Sequence, residues 1–100
     1  MQVIIDTNAL VYAAKKGQDL AKTIDGQIII PNLVIKELEK LAKTATKGAD
    51  KSAAKLAIQI IKHKGWKHIK LENGHTDTQI KKYAKQHNCK IYTFDKQLRK

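Results

Sequence analysis

The sequence predicts an α/β fold: a three-layer α/β/α domain around a central, mostly parallel four-stranded sheet. β-rich runs alternate along the chain with stretches of helical periodicity, the pattern of a parallel sheet covered by helices. The runs "VII" and "QIII" are apolar almost throughout, as expected of strands buried on both faces. The length of 100 residues is that of one small domain, so we expect residues 1–100 to form a single unit.

Each predicted strand is a short run of residues typical of β-strands, and helical stretches lie between the runs. These four runs are Gln2–Ile5, Gln27–Ile30, His68–Leu71 and Lys90–Phe94.

Helical spacing of apolar residues predicts three helices between these strands. The first begins at Asn32, whose side chain is expected to act as its N-cap. The second runs from about Gly48 to His63 and ends at Gly65, and the third begins near Thr76. Their apolar stripes include Val34, Leu38 and Leu41 in the first, Ala53, Ala57 and Ile61 in the second, and Ile80 and Ala84 in the third.

The charge balance predicts a polyanionic partner. Twenty Lys and Arg residues against nine Asp and Glu residues give a formal charge of +11, which favours nucleic acid first and an anionic membrane second. Nineteen of the twenty are lysines, whereas reading of base edges relies on arginine, so we expect backbone contact with little sequence reading. On composition alone, a generic basic surface explains the charge equally well.

The compartment follows from what the sequence lacks. It has no apolar run of transmembrane length, and its start, "MQVIID", does not have the layout of a signal peptide. A single cysteine, Cys89, excludes an internal disulfide and fits a reducing compartment. We therefore expect a cytoplasmic protein without a membrane partner.

Four of the nine acidic residues have unusual positions. Asp6 and Asp95 each follow an apolar strand directly, and sites assemble at the carboxyl ends of strands in an open parallel sheet. Asp77 falls in the first turn of the third helix, aligned with its buried side. Glu37 borders the buried stripe of the first helix, whereas Glu39 falls on its solvent face.

Each of these acids alone has an ordinary explanation as a helix cap, a first-turn residue or a surface residue. Together they predict a carboxylate cluster at one edge of the sheet. Because clustered carboxylates repel each other, they need protonation or a bound cation, and oxygen ligands alone favour Mg²⁺ or Mn²⁺. Such an ion activates water and stabilises charge on phosphate oxygens, so the residues predict phosphodiester hydrolysis.

Four blocks of the sequence, "IIDTNALV", "PNLVIKELEKL", "HTDTQIKKYAKQ" and "IYTFDKQLRK", resemble the PIN-domain ribonucleases in order along the whole chain. The acidic residues of the family pattern fall on Asp6, Glu37, Asp77 and Asp95. The resemblance implies an endoribonuclease that cleaves single-stranded or structured RNA. It also implies that the three aspartates are the main ligands of Mg²⁺ or Mn²⁺ and that Glu37 helps to position metal or water.

The resemblance extends to residues around this cluster. It implies that Asn8 and Thr93 orient the carboxylates by hydrogen bonding. The stretch "VIKELEKLAKTATKGADKSAAKLAIQII" looks most like small archaeal PIN proteins related to the eukaryotic small-subunit processome nuclease, which implies rRNA processing and a ribosome-assembly partner. It looks less like the nucleases of toxin–antitoxin pairs, for which the partner is an antitoxin.

Lysines in the same stretch are candidates for contacts with RNA phosphates. They share one helical arc, and an ordinary solvated helix face is the slightly favoured alternative. These residues are Lys47, Lys51, Lys55 and Lys62.

The sequence departs from the family pattern at its end. Family members continue past the last aspartate with a complete helix and a fifth strand, whereas this chain ends at Lys100 after "KQLRK", which could begin a helix. The difference fits either a truncated domain or a compact variant of the fold. In both cases the fourth strand is expected to be an open edge unless a partner chain, such as a second copy, covers it. The competing functions are a non-catalytic RNA-binding domain and a toxin-type nuclease.

Overall fold

Four parallel strands form the sheet of the computed structural model, which describes residues 1–93. Their order across the sheet is β3-β2-β1-β4. The predicted fold class, a three-layer α/β/α arrangement around a parallel sheet, is confirmed. The strands are β1 (Gln2–Ile5), β2 (Gln27–Pro31), β3 (Lys67–Ile69) and β4 (Lys90–Tyr92).

Five helices connect these strands within residues 1–93. Two of them, α1 and α2, lie between β1 and β2, a stretch of helical periodicity for which no helix bounds were predicted. The helices are α1 (Thr7–Lys16), α2 (Leu20–Thr23), α3 (Asn32–Thr44), α4 (Gly48–Lys64) and α5 (Thr76–His87).

The strand order explains the two helix layers. The connections from β1 to β2 and from β2 to β3 move in one direction across the sheet, and the connection from β3 to β4 returns in the other. Because parallel crossovers are right-handed, a reversal of direction moves the connecting helix to the opposite face. Helices α1, α3 and α4 pack against one another in one layer, and α5 forms the other layer.

The core lies on both faces of the two central strands. Ile4 and Ile5 of β1 and Ile29 and Ile30 of β2 are fully buried, in agreement with the apolar runs of the sequence. Within the described residues, none of the helices combines the length and the apolar character needed to cross a bilayer.

One predicted helix cap is wrong. Asn32 is the first residue of α3, and the cap position is occupied by Pro31, whose φ of −69° suits a helix start without any side-chain hydrogen bond. The Asn32 side chain instead accepts a hydrogen bond from the Leu71 backbone nitrogen at 2.7 Å and donates one to the Leu71 carbonyl at 3.5 Å. A tertiary contact between α3 and the segment after β3 has replaced the local cap.

Other element bounds differ from the predicted ones by one or two residues. β3 begins one residue before its predicted start and ends at Ile69, two residues before its predicted end. It ends there because the backbone nitrogen of Leu71 donates a hydrogen bond to the Asn32 side chain and not to a neighbouring strand. α4 extends one residue beyond its predicted end and closes at Gly65, whose φ of 64° is left-handed, as predicted for a C-cap glycine. β4 ends at Tyr92, and the segment predicted to begin a further helix lies outside the described residues.

Candidate functional site

Asp6 lies at the carboxyl end of β1, where the strand order reverses. β1 is flanked by β2 and β4, and the register aligns Ile5 with Tyr92. The next residues of the two strands, Asp6 and Thr93, therefore leave the sheet side by side. In open α/β sheets, ligands bind at such a reversal point, outside the carboxyl ends of the strands.

Both carboxylate oxygens of Asp6 have hydrogen-bond donors. Oδ1 accepts a hydrogen bond from the backbone nitrogen of Ala9 at 2.9 Å, so Asp6 is the N-cap of α1. Oδ2 accepts one from the hydroxyl of Thr93. Asp6 and Thr93 are each only 3% exposed, so this carboxylate is held in a fixed orientation inside the protein.

The contact between Thr93 and Asp6 is the one that the family resemblance implies, and it is present. The helix-cap explanation of Asp6 is also correct, because one oxygen caps α1. A cap alone requires a single acceptor oxygen and is usually solvent-exposed, so it does not account for the burial or for the second hydrogen bond. Any metal-binding function of Asp6 and Thr93 stays a prediction.

Thr7 is a buried polar residue to which the sequence analysis assigned no function. It is 6% exposed, and its hydroxyl has no hydrogen-bond partner among the described residues. Buried hydroxyls almost always have a partner, so this one is available to a group outside residues 1–93 or to a ligand. Its position directly after a strand-end aspartate was the only signal in the sequence.

The two glutamates of α3 differ in exposure as the helical wheel predicts. Glu37 is half-buried, whereas Glu39 is exposed. Leu41, one turn after Glu37, lines a surface pocket of about 280 Å³ between α1, α3 and α4. Asn8 of α1 lines the same pocket and is exposed. Glu37 and Asn8 are therefore near one pocket, Asn8 in its wall and Glu37 one helical turn from Leu41.

Asp77 has its predicted place on the helix but is exposed to solvent. Asp77 lies in the first turn of α5, as predicted, and Ile80 and Ala84 form the buried side of that helix. Asp77 itself is exposed, because the segment 72–75 that precedes the helix is also exposed and does not cover its first turn.

The described residues do not complete a metal site. Within residues 1–93, no group of three or more Asp, Glu, His or Cys side chains could hold a metal ion. Asp6, Glu37 and Asp77 therefore do not form a three-ligand site by themselves. Asp95, the fourth predicted ligand, lies outside the described residues.

A salt bridge crosses the pocket that Asn8 lines. Lys15 of α1 pairs with Asp50 in the first turn of α4. The hydrogen bond from Lys15 lowers the pKa of Asp50, with a smaller favourable effect of the Lys15 and Lys47 charges, and partial desolvation opposes the shift. This partly exposed pair links α1 to the first turn of α4.

The predicted RNA-binding lysines lie on α4 and at its start. Lys47 is the cap residue of α4, and the side chains of Lys47, Lys55 and Lys62 are exposed, whereas Lys51 is half-buried. An exposed lysine arc suits either phosphate binding or an ordinary solvated helix face, and the geometry does not separate the two.

Comparison with known proteins gives one family. A family model described as a PIN-like domain matches residues 3–100, which includes all four predicted acidic residues. A search of curated proteins found no match to the chain.

Proposed function

Because this chain belongs to the PIN-like domain family, whose members are generally nucleases, we propose that it is a metal-dependent endoribonuclease. The observation that carries the proposal is the buried carboxylate of Asp6, oriented by Ala9 and Thr93 at the reversal point of the sheet. A carboxylate held this rigidly suits the binding of a cation.

The proposed metal is Mg²⁺ or Mn²⁺, with Asp6, Glu37, Asp77 and Asp95 as the residues that would hold it. The described part of the chain fits this role in part: it supplies one oriented, buried carboxylate with oxygen donors only, but not three converging ligands. Asp95 is therefore essential to the proposal. When bound, such an ion supplies a water of lowered pKa and stabilises charge on the phosphate oxygens.

The remaining residues of the site have structural functions in this proposal. Thr93 fixes the direction of one carboxylate oxygen of Asp6, and the first turn of α1 fixes the other. The formal charge of +11 attracts an RNA polyanion to the protein over a distance of about one Debye length, about 8–10 Å at physiological ionic strength.

The direct test is cleavage of a single-stranded RNA in the presence of Mn²⁺ or Mg²⁺. Asp6→Asn is the most informative variant, because asparagine is as good an N-cap as aspartate and so keeps the α1 start while removing the charge. We expect this variant and Asp95→Asn to lose cleavage by a factor of 100 or more, whereas Asp25→Asn, at an exposed acid, keeps it. Unchanged cleavage by Asp6→Asn would refute the proposed site.

A non-catalytic RNA-binding domain is the second candidate. The finding that favours it is the lack of three converging ligand side chains within residues 1–93. It predicts salt-sensitive RNA binding, with no cleavage that EDTA abolishes, and weaker binding when lysines such as Lys55 and Lys62 are replaced. If wild-type protein binds RNA but leaves it intact with both metals, this second function is correct.

The finer parts of the proposal are an rRNA substrate, a ribosome-assembly or antitoxin partner and a cytoplasmic location. They depend on the resemblance and on the composition of the chain. Sequencing of RNAs crosslinked to the protein in cells would identify candidate substrates, and their cleavage would then be compared with that of unrelated RNAs.

A further inference from the structure

A polar cleft lies along α5, beside the segment that follows β3. Its volume is about 250 Å³, and it is lined from the β3 side by Lys70, Leu71 and Glu72. This is below the range of about 300–1,000 Å³ that is typical of pockets for drug-sized ligands. The cleft therefore suits a ligand of about the size of one nucleotide and not an entire oligonucleotide.

Two stacked rings form part of the wall on α5. The rings of Tyr83 and His87 have their centroids 4.1 Å apart and are inclined by 27°. Tyr83 is half-buried and packs against the core, whereas His87 is exposed in the last turn of the helix. Tyr83 therefore supports the His87 ring from one side, and His87 stays exposed to solvent within residues 1–93, so its ring can stack with a further flat group.

The chemistry around the stacked rings is that of a nucleotide site. Lys70 and Lys82 bring two positive charges to the cleft, and Glu72 brings one negative charge. Gln79 and Gln86 add amide groups, which donate and accept hydrogen bonds as base edges do. A supported ring beside lysines is the combination with which proteins hold unpaired nucleotides.

Glu72 competes with any anion for one of these lysines. Its carboxylate lies 3.8 Å from the Lys82 ammonium, and both side chains are well exposed. Exposed pairs of this kind are weak, so a phosphate group can displace Glu72.

We propose that this cleft, the α5 cleft, binds one unpaired nucleotide of an RNA, with its base stacked on His87 and its phosphate beside Lys70 and Lys82. The proposal depends on the proposed function only for the RNA itself, and it assigns a contact that is separate from the acidic site. It predicts that RNA is held in part by a stacked base, which the lysine-rich composition alone does not require.

The test is the binding of a fluorescein-labelled ten-nucleotide oligouridylate to the full chain, measured by anisotropy with EDTA present so that cleavage does not interfere. His87→Ala is expected to weaken binding at least fivefold, the low end of what one stacked base contributes. The same substitution should leave the binding of an abasic ribose-phosphate oligomer of equal length unchanged within twofold, because that oligomer has no base to stack.

Substitutions of the charged residues of the cleft should affect both oligomers, because they act on the phosphate and not on the base. Lys82→Gln should weaken the binding of both oligomers, and Glu72→Gln should tighten both, because the competing carboxylate is removed. His63→Ala, at an exposed histidine in the last turn of α4, and Glu39→Gln, at an exposed glutamate of α3, should each stay within twofold of wild type.

The assignment would be overturned if His87→Ala left binding of the oligouridylate unchanged within twofold, or if it weakened binding of the abasic oligomer equally. The assignment would also be refuted if His63→Ala weakened binding as much as His87→Ala, because loss of any exposed histidine would then have the same effect as loss of the one in the cleft. These outcomes concern binding without metal, so they are distinguishable from a failure of Asp6→Asn to abolish cleavage, which would refute the proposed function instead.

Discussion

The hydrogen bond between Thr93 and Asp6 should make a large contribution to stability. Thr93→Val removes the hydroxyl and keeps the shape of the side chain, so the variant tests the hydrogen bond with little change in packing. Both residues are 3% exposed, and water cannot easily replace the lost donor. Hydrogen bonds to charged groups contribute about 1.5–3 kcal/mol, so we expect the free energy of unfolding to fall by about 2 kcal/mol.

The assay is urea denaturation followed by circular dichroism, with thermal unfolding as a second readout. For a domain of this size, a loss of about 2 kcal/mol corresponds to a Tm lower by about 8–16 °C. Thr44→Val is the matched control, because the Thr44 hydroxyl donates to the Lys40 carbonyl at 2.8 Å on an exposed helix end. We expect that control to change the free energy by less than about 0.5 kcal/mol.

A double-mutant cycle with Asp6→Asn separates this contact from other effects. If the hydroxyl acts through the charged carboxylate, the two variants should be non-additive by about 1 kcal/mol or more. Additivity within about 0.5 kcal/mol, or a Thr93→Val variant as stable as wild type, would refute the reasoning that Thr93 holds the Asp6 carboxylate in place.

Three further predictions concern the frame of the site. Asn32→Ala should lower the free energy of unfolding by about 1–2 kcal/mol in urea, because both hydrogen bonds to the Leu71 backbone are lost; an unchanged urea midpoint would contradict this. Gly26→Ala should be strongly destabilising, because its backbone φ is +136° and the added Cβ would lie 2.5 Å from the backbone oxygen of Met1. Gly48→Ala, at a helix position with open space around it, should instead stabilise the protein by up to about 1 kcal/mol. Equal thermal midpoints of the two variants would contradict this prediction. Burial raises the pKa of the Cys89 thiol, so the folded protein contains less thiolate at pH 8 than the unfolded chain. Modification of Cys89 by iodoacetamide should therefore be slower in the folded than in the urea-unfolded protein. Equal rates would contradict this prediction.

Much of the fold could be predicted because the central strands leave a strong local signal. The apolar runs around Ile4 and Ile29 admit few interpretations other than buried parallel strands, and their burial is as expected. Gly65 ends α4 by a local conformational requirement, which a sequence also reveals. Features with local causes were therefore predicted correctly.

The features that the sequence did not reveal have non-local causes. Asn32 has the chemistry of a helix cap, but a contact with Leu71, 39 residues away, takes its side chain. The exposure of Asp77 depends on the path of the preceding loop, which a helical wheel does not contain. The burial of the Thr7 hydroxyl, which has no hydrogen-bond partner within residues 1–93, depends on tertiary packing that the sequence does not contain.

For the candidate site, the sequence predicted that four acidic residues meet at one edge of the sheet, and their shared function stays a prediction. The burial of Asp6 and its contact with Thr93 follow from the register of β1 and β4, two strands far apart in sequence. Helical periodicity was sufficient to separate the half-buried Glu37 from the exposed Glu39, because both lie on one regular helix.

The central claim is that the four acidic residues share a divalent metal ion. The most direct measurement is a crystal structure of the full chain soaked in Mn²⁺, with an anomalous difference map to locate the ion. The proposal predicts an anomalous peak bound to Asp6 and Asp95, with Glu37 and Asp77 close enough to bind the ion directly or through water. A well-ordered Asp6 without a peak, while the other three acids point away from it, would contradict the proposal.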